Sequence, residues 1–158
     1  PRGEGVKAEW TSEMKEITIG TGRTLKEGDE IAILSYGHPG NFAAAAIREV
    51  KSEGINPAHY DMRFVKPLDE KMLHGVFKNY SKIITVEDGT VKGGFGSAIL
   101  EFMAEYNYNA SVKILGIPDT IIEHGTLKEL YNEIGIDANH IAEAIRDMAK
   151  IEVNKLIG

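Results

Sequence analysis

The residues best placed to do chemistry form one segment, in which an apolar run leads into two acids, a glycine cluster and an amphipathic stretch. The apolar run occupies 83–86, the acids 87–88 and the glycine cluster 93–97. A P-loop requires Lys-Ser or Lys-Thr after its last glycine, whereas Gly96 is followed by Ser-Ala-Ile. A dinucleotide-binding turn requires a third glycine, and Ile99 stands in that position. We therefore expect these glycines to allow close backbone packing rather than phosphate binding.

Two pairs of charged residues are the next candidates. Glu87 and Asp88 follow a predicted parallel strand, at the edge where open α/β sheets bind ligands. One interpretation is an acid at a site or an interface. The other is a turn with solvated carboxylates, which the residues alone favour. Asp61 and Arg63 are predicted on the same face of one strand, a placement that favours an ion pair, within the chain or between subunits, over catalysis.

The remaining polar residues show no pattern of a catalytic or metal site. Ser35 and Ser97 lack the G-x-S-x-G elbow of an α/β-hydrolase. Arg2 lies in a polar, glycine-containing stretch, and composition alone favours a solvated arginine there. Metal-ligand spacings such as H-x-H and H-E-x-x-H are missing from the histidines, which are His38, His59, His74, His124 and His140.

Composition indicates one globular domain. The 158 residues are enough to bury a substantial core, and the 42% hydrophobic and 27% charged content is ordinary. A net charge of −6 argues against non-specific binding to nucleic acid. Without cysteine, disulfides and thiolate chemistry are excluded. We expect no membrane partner and a cytoplasmic location, because the sequence contains neither a long apolar run nor a signal-peptide core.

Hydrophobic periodicity predicts an α/β fold. Five strands, over 19–25, 30–36, 59–65, 82–86 and 111–117, alternate with helices. The short turn 26–29 favours antiparallel pairing of the first two strands. We expect Asp69, Thr126 and Asp137 to cap helices, with Glu129 completing a capping box at Thr126. The predicted architecture has three layers, α/β/α, around a five-stranded, mostly parallel sheet with one antiparallel strand. Residues 1–15 are interpreted as a linker and 16–158 as the domain.

Four segments together are similar to one family, the C-terminal domains of 1-deoxy-D-xylulose-5-phosphate synthases, which are transketolase-like enzymes. The run Arg-Phe-Val-Lys-Pro-Leu-Asp is the most specific of them. The similarity covers nearly the whole chain. The chain departs from the usual family pattern at 36–40 and 88–89. The segments are Pro1-Arg2-Gly3, Met62 to Glu70, Val86 to Gly89 with Gly93 to Ser97, and Leu115 to Asp119 with Glu123 to Thr126.

The resemblance implies a function for the intact enzyme. Enzymes of this family condense pyruvate with glyceraldehyde 3-phosphate, with loss of CO₂, and feed isoprenoid, thiamine and pyridoxal synthesis. Their thiamine diphosphate and Mg²⁺ lie between two preceding domains, in a motif that begins Gly-Asp-Gly and ends Asn-Asn. No Gly-Asp-Gly occurs in this sequence, so we expect no cofactor, no metal and no catalytic residue in this chain. The resemblance also reverses the interpretation of Arg2, which it implies helps to hold the substrate phosphate.

The resemblance further implies a structural and dimer-forming module that is inactive alone. Its partners would be the upstream domains and a second copy of the enzyme. An alternative is a free-standing subunit of a split transketolase or of an enzyme like the β subunit of 2-oxoacid dehydrogenases. A nucleotide-binding module using 93–97 is disfavoured by its missing residues. The interface candidates are Asp61, Arg63, Lys66, Asp69, Glu87, Asp88, Gly93, Gly94, Phe95, Gly96 and Ser97.

Overall fold

The computed structural model describes residues 16–150 and has an α/β architecture. No helix in this range is long and apolar enough to cross a membrane. The strands are β1 (Arg23–Lys26), β2 (Ile31–Tyr36), β3 (Ala58–Asp61), β4 (Lys82–Thr90) and β5 (Ser111–Ile117). The helices are α1 (Gly40–Val50), α2 (Glu70–Asn79), α3 (Phe95–Glu105), α4 (Leu127–Glu133) and α5 (Ala138–Lys150), with a 3₁₀ turn (Lys51–Glu53) after α1.

The five strands form one sheet in the order β1-β3-β2-β4-β5. Strands β3, β2, β4 and β5 are parallel, and β1 lies antiparallel to β3 at one edge. In the register, Ala32 of β2 lies between Ala58 of β3 and Ile83 of β4. This arrangement confirms the predicted mostly parallel sheet with a single antiparallel strand.

The predicted pairing of the first two strands is wrong, because β3 lies between β1 and β2. The turn after β1 is bonded instead to the segment that leads into β3. The Asp29 backbone N–H donates to the Asn56 carbonyl at 2.7 Å, and the Lys26 ammonium donates to the Pro57 carbonyl at 2.9 Å. The turn between β1 and β2 therefore passes over the start of β3. For this reason the short turn does not place β1 beside β2.

Helices cover both faces of the sheet, which confirms the three-layer prediction. Along β2, Ile31 and Ile33 belong to a core shared with α1 and α5, while Ala32 and Leu34 belong to a second core with α2 and α3. Because successive side chains of a strand point to opposite faces, a strand buried on both sides is apolar throughout. This explains why β2 has no alternating pattern.

The caps predicted from sequence are present. The Asp69 side chain accepts a hydrogen bond from the Met72 backbone at the start of α2. Thr126 and Glu129 form the capping box of α4. The Asp137 carboxylate accepts from the backbone of His140 in the first turn of α5. These bonds satisfy N–H groups that have no partner within the helix.

Three strand boundaries differ from the prediction by more than one residue. The first strand begins at Arg23 rather than at residue 19, and β4 continues past residue 86 to Thr90. The third strand ends at Asp61 rather than at residue 65. The strand ends there because Arg63 has a φ of 55°, in the left-handed region. In this conformation the Arg63 N–H donates to Asp61 Oδ1 at 3.2 Å.

Candidate functional site

The candidate site lies at the carboxyl edge of the parallel strands. The chain leaves β2 for α1 on one face of the sheet, whereas it leaves the neighbouring β3 and β4 for α2 and α3 on the other face. Adjacent loops that diverge in this way open a crevice, the usual place for ligands in such folds. The segments 36–40, 61–69 and 87–97 border this edge.

Glu87 is buried within this edge and holds the start of α3. Its side chain is 2% exposed. Oε2 accepts the backbone N–H of Phe95 and Oε1 accepts that of Gly96, each at 2.8 Å. The favoured interpretation of a solvated carboxylate is therefore wrong for Glu87. A carboxylate is stabilised at a helix N-terminus by free N–H groups and by the helix dipole.

The glycines of this segment allow the backbone to approach the chain's own atoms. A Cβ on Gly94 would lie 2.1 Å from the Thr90 carbonyl oxygen and 2.4 Å from Glu87 Oε2. A Cβ on Gly96 would lie 2.5 Å from Ile114 Cγ2. The expected close packing is confirmed, and its partners within the described chain are the β4–α3 junction for Gly94 and the adjacent strand β5 for Gly96.

The rest of this segment presents polar groups toward solvent. The Ser97 hydroxyl donates to the Val91 carbonyl at 3.0 Å and accepts the Gly93 N–H at 2.9 Å, which closes the loop. Asp88 is exposed and accepts a hydrogen bond from the Tyr131 hydroxyl at 3.3 Å. The solvated carboxylate that we expected for both acids is therefore present at Asp88, but not at Glu87.

The side chains of Asp61 and Arg63 do not form an ion pair with each other. Asp61 Oδ2 binds Arg23 Nε of β1 at 2.9 Å. Because Arg63 lies beyond the end of β3, the two side chains do not share a strand face as predicted. Within residues 16–150, the Arg63 guanidinium makes no hydrogen bond and no ion pair. Asp61 thus forms an intrachain ion pair, with a partner that the sequence did not suggest.

Two further interface candidates of the 61–69 segment are Lys66 and Asp69. Lys66 is exposed, and Asp69 is partly buried. While Asp69 Oδ1 caps α2, its Oδ2 accepts the backbone N–H of Gly22 at 2.9 Å. The segment is therefore tied to the stretch of chain that leads into β1.

A buried serine–histidine pair was not predicted. Ser35 Oγ and His59 Nε2 lie 2.9 Å apart, and both residues are at most 2% exposed. Burial lowers the pKa of His59 to about 4, so the imidazole is neutral at neutral pH and is a weak base. Low exposure and weak basicity argue against a nucleophilic dyad. The residues stand 24 positions apart on adjacent strands, so only strand register could have revealed them.

A cleft of about 710 Å³ has Ser35 of this pair among its lining residues. Its charged lining consists of two arginines and one aspartate, and no group of three histidine or acidic residues able to hold a metal occurs within 16–150. Arg2 lies outside the described residues. The lining residues are Arg23, Leu25, Ser35, Tyr36, Gly37, His38, Gly40, Asn41, Ala44, Asp61 and Arg63.

Comparison with known proteins relates the chain to one family. A family model described as "Transketolase, C-terminal domain" matches residues 20–141. A 1-deoxy-D-xylulose-5-phosphate synthase of Cytophaga hutchinsonii is 55% identical over 96% of this chain and 24% of its own length. One of Parabacteroides distasonis is 51% identical over 92% of this chain and 23% of its own length. The chain thus spans about a quarter of these relatives.

Solved structures support the same fold. A structure titled "Split gene transketolase, inactive beta4 tetramer" has a TM-score of 0.83 and 27% identity, and it covers 92% of this chain and 48% of its own. A transketolase of Campylobacter jejuni has a TM-score of 0.61 over 81% of this chain and 18% of its own. At 17% identity, the second comparison shows the fold alone.

Proposed function

Because the chain belongs to the family of transketolase C-terminal domains, we propose that it is the C-terminal domain of a 1-deoxy-D-xylulose-5-phosphate synthase. The whole enzyme would be a cytoplasmic transferase that condenses pyruvate with glyceraldehyde 3-phosphate, with loss of CO₂, to supply isoprenoid, thiamine and pyridoxal synthesis. The observation that carries this proposal is 55% identity over 96% of the chain to an enzyme of that name.

The proposed enzyme requires thiamine diphosphate and Mg²⁺, and the described residues do not fit this cofactor. The sequence has no Gly-Asp-Gly, and residues 16–150 contain no cluster of metal ligands. We therefore assign cofactor binding to upstream domains and derive no catalytic step from this chain. Its role would be to support those domains and a second subunit.

Two surfaces are proposed to face these partners, namely the segments 61–69 and 87–97. Their exposed members, among them Lys66, Asp88 and Gly93, are available for contact. Asp61, Asp69, Gly94 and Ser97 are partly buried in the described chain. The buried members Glu87, Phe95 and Gly96 would act on an interface by fixing the shape of the loop.

A domain exchange tests this proposal. We expect an enzyme in which this chain replaces the matching segment of the Cytophaga hutchinsonii relative to keep activity within about ten-fold of its parent. A ten-fold change corresponds to ~1.4 kcal/mol of transition-state stabilisation. Product formation from pyruvate and glyceraldehyde 3-phosphate is measured. The control carries the corresponding domain of the Campylobacter jejuni transketolase. A folded but inactive exchange enzyme would contradict the proposal.

The alternative of a free-standing subunit has weaker support. The split-gene transketolase is 27% identical to this chain, compared with 55% for the synthase. Transketolase activity on mixing this chain with a separate partner chain, with none in the domain exchange, would favour the alternative.

Arg2 is proposed to bind the phosphate of the aldehyde substrate in the whole enzyme. Guanidinium presents a rigid fork of donors to phosphate oxygens, and a charged hydrogen bond of this kind contributes about 1.5–3 kcal/mol. We expect Arg2→Ala to raise KM for glyceraldehyde 3-phosphate about ten-fold or more and to change KM for pyruvate less than about two-fold. Lys7→Ala, in the same polar stretch, is the control. Equal effects on both substrates would argue against a phosphate role.

A further inference from the structure

The cleft at the carboxyl ends of β2 and β3 contains a cation that has no partner among residues 16–150. Arg63 lines the cleft, and its guanidinium makes no hydrogen bond or ion pair with any residue between 16 and 150. The other arginine of the lining, Arg23, is bound to Asp61 at 2.9 Å. Guanidinium groups bind planar or branched oxyanions through paired N–H donors. The unpaired group is thus available for an anion.

The charge of this cleft is opposite to that of the chain. Two arginines and one aspartate give the lining a formal charge of +1, whereas the whole chain carries −6. The first turn of α1 borders the cleft through Gly40 and Asn41 and has no acidic side chain. A cleft of net positive charge with low-dielectric walls focuses the field on small anions.

The position of Arg63 is fixed by local structure. Its φ of 55° is uncommon for a residue other than glycine, and the bond from its N–H to Asp61 Oδ1 at 3.2 Å holds the turn. Residues kept in such conformations cluster at ligand sites, where the surrounding structure stabilises them. Asp61 therefore binds the Arg23 side chain and the Arg63 backbone, and no described residue binds the Arg63 guanidinium.

We propose that this cleft binds a small phosphate-class anion, with Arg63 as its principal ligand. The cleft is also lined by Tyr36, His38 and Asn41, which carry hydroxyl, imidazole and amide groups, and by Ser35, whose hydroxyl is bonded to His59 and to the Tyr60 carbonyl. A phosphoryl group has more oxygens to satisfy than a carboxylate, which favours phosphate in a lining with several donors. This site is separate from the role proposed for Arg2 and does not depend on it.

A phosphate titration of the 158-residue chain tests this site. At constant ionic strength, inorganic phosphate should cause saturable shifts of the backbone amide NMR signals of Gly37, His38 and Asn41. We expect Arg63→Gln to weaken phosphate affinity about ten-fold or more, because the paired charged donors are lost. Arg48→Gln is the matched control, since Arg48 is an exposed arginine of α1 outside the cleft, and it should leave the affinity unchanged.

A second variant should act in the opposite direction. Asp61→Asn keeps an oxygen for the Arg63 N–H but removes the charge that neutralises Arg23, so that the lining changes from +1 to +2. We expect phosphate affinity to increase several-fold. The proposal is overturned by non-saturable shifts, by equal binding of acetate, by equal losses in Arg63→Gln and Arg48→Gln, or by weaker binding in Asp61→Asn.

Discussion

Gly94→Ala is expected to lower the free energy of unfolding by about 3 kcal/mol or more. The added methyl group would lie 2.1 Å from the Thr90 carbonyl oxygen and 2.4 Å from Glu87 Oε2. The first of these atoms belongs to the backbone, so no side-chain rotation relieves the overlap. Moving the Glu87 carboxylate would break its bonds to α3. Urea unfolding should show a lower midpoint with an unchanged m-value.

Gly75→Ala is the matched control for this substitution. Gly75 lies within α2, and an added Cβ there would meet no atom within 4 Å apart from its chain neighbours and the backbone of its own helix. Because glycine in a helix interior costs backbone entropy, we expect Gly75→Ala to raise the free energy of unfolding by about 0.5–1 kcal/mol. Losses of similar size in both variants would show that close approach at Gly94 is not the cause.

Glu87→Gln is expected to lower the free energy of unfolding by about 2–4 kcal/mol. Each carboxylate oxygen accepts one backbone N–H of α3 at 2.8 Å. The amide of glutamine keeps the shape but replaces one acceptor by a donor, which leaves a buried N–H without a partner and removes a charge-assisted bond. Hydrogen exchange at the Phe95 and Gly96 amides should accelerate, together with a lower midpoint of unfolding.

Asp88→Asn provides the control for charge. The neighbouring Asp88 is exposed and has one hydrogen bond of 3.3 Å from Tyr131. We expect a change within about 0.5 kcal/mol, as is usual at the surface. If Glu87→Gln proved equally mild, the bonds from Glu87 would contribute little to holding α3.

Local patterns predicted most of the fold. The strand over 111–117 has its predicted bounds, and the apolar positions Leu73, Ile99 and Ile141 are buried as helical spacing indicated. These signals come from neighbouring residues, so a single sequence contains them. The pairing of β1 with β3 could not be predicted from such signals, because it depends on bonds between the turn at 26–29 and the segment at 56–57.

The contacts of the site were less predictable, because they join residues that are not neighbours in the sequence. Glu87 reaches N–H groups eight and nine positions further along the chain, and no local pattern distinguishes it from the solvated Asp88. The ion pair of Asp61 is formed with Arg23, 38 residues away on a neighbouring strand. The contacts of Glu87 depend on how the loop after β4 folds back to start α3, and the contact of Asp61 depends on strand order and register.

The reversed direction of β1 determines where residues 16–22 meet the sheet. Arg23, the first residue of β1, lies opposite Asp61, the last residue of β3. The preceding residues therefore meet the sheet at its loop-bearing end, where Gly22 is bonded to Asp69. With a parallel β1 they would arrive at the opposite rim. One strand's orientation thus brings residues 16–22 and the cleft of Arg63 to the same end of the sheet.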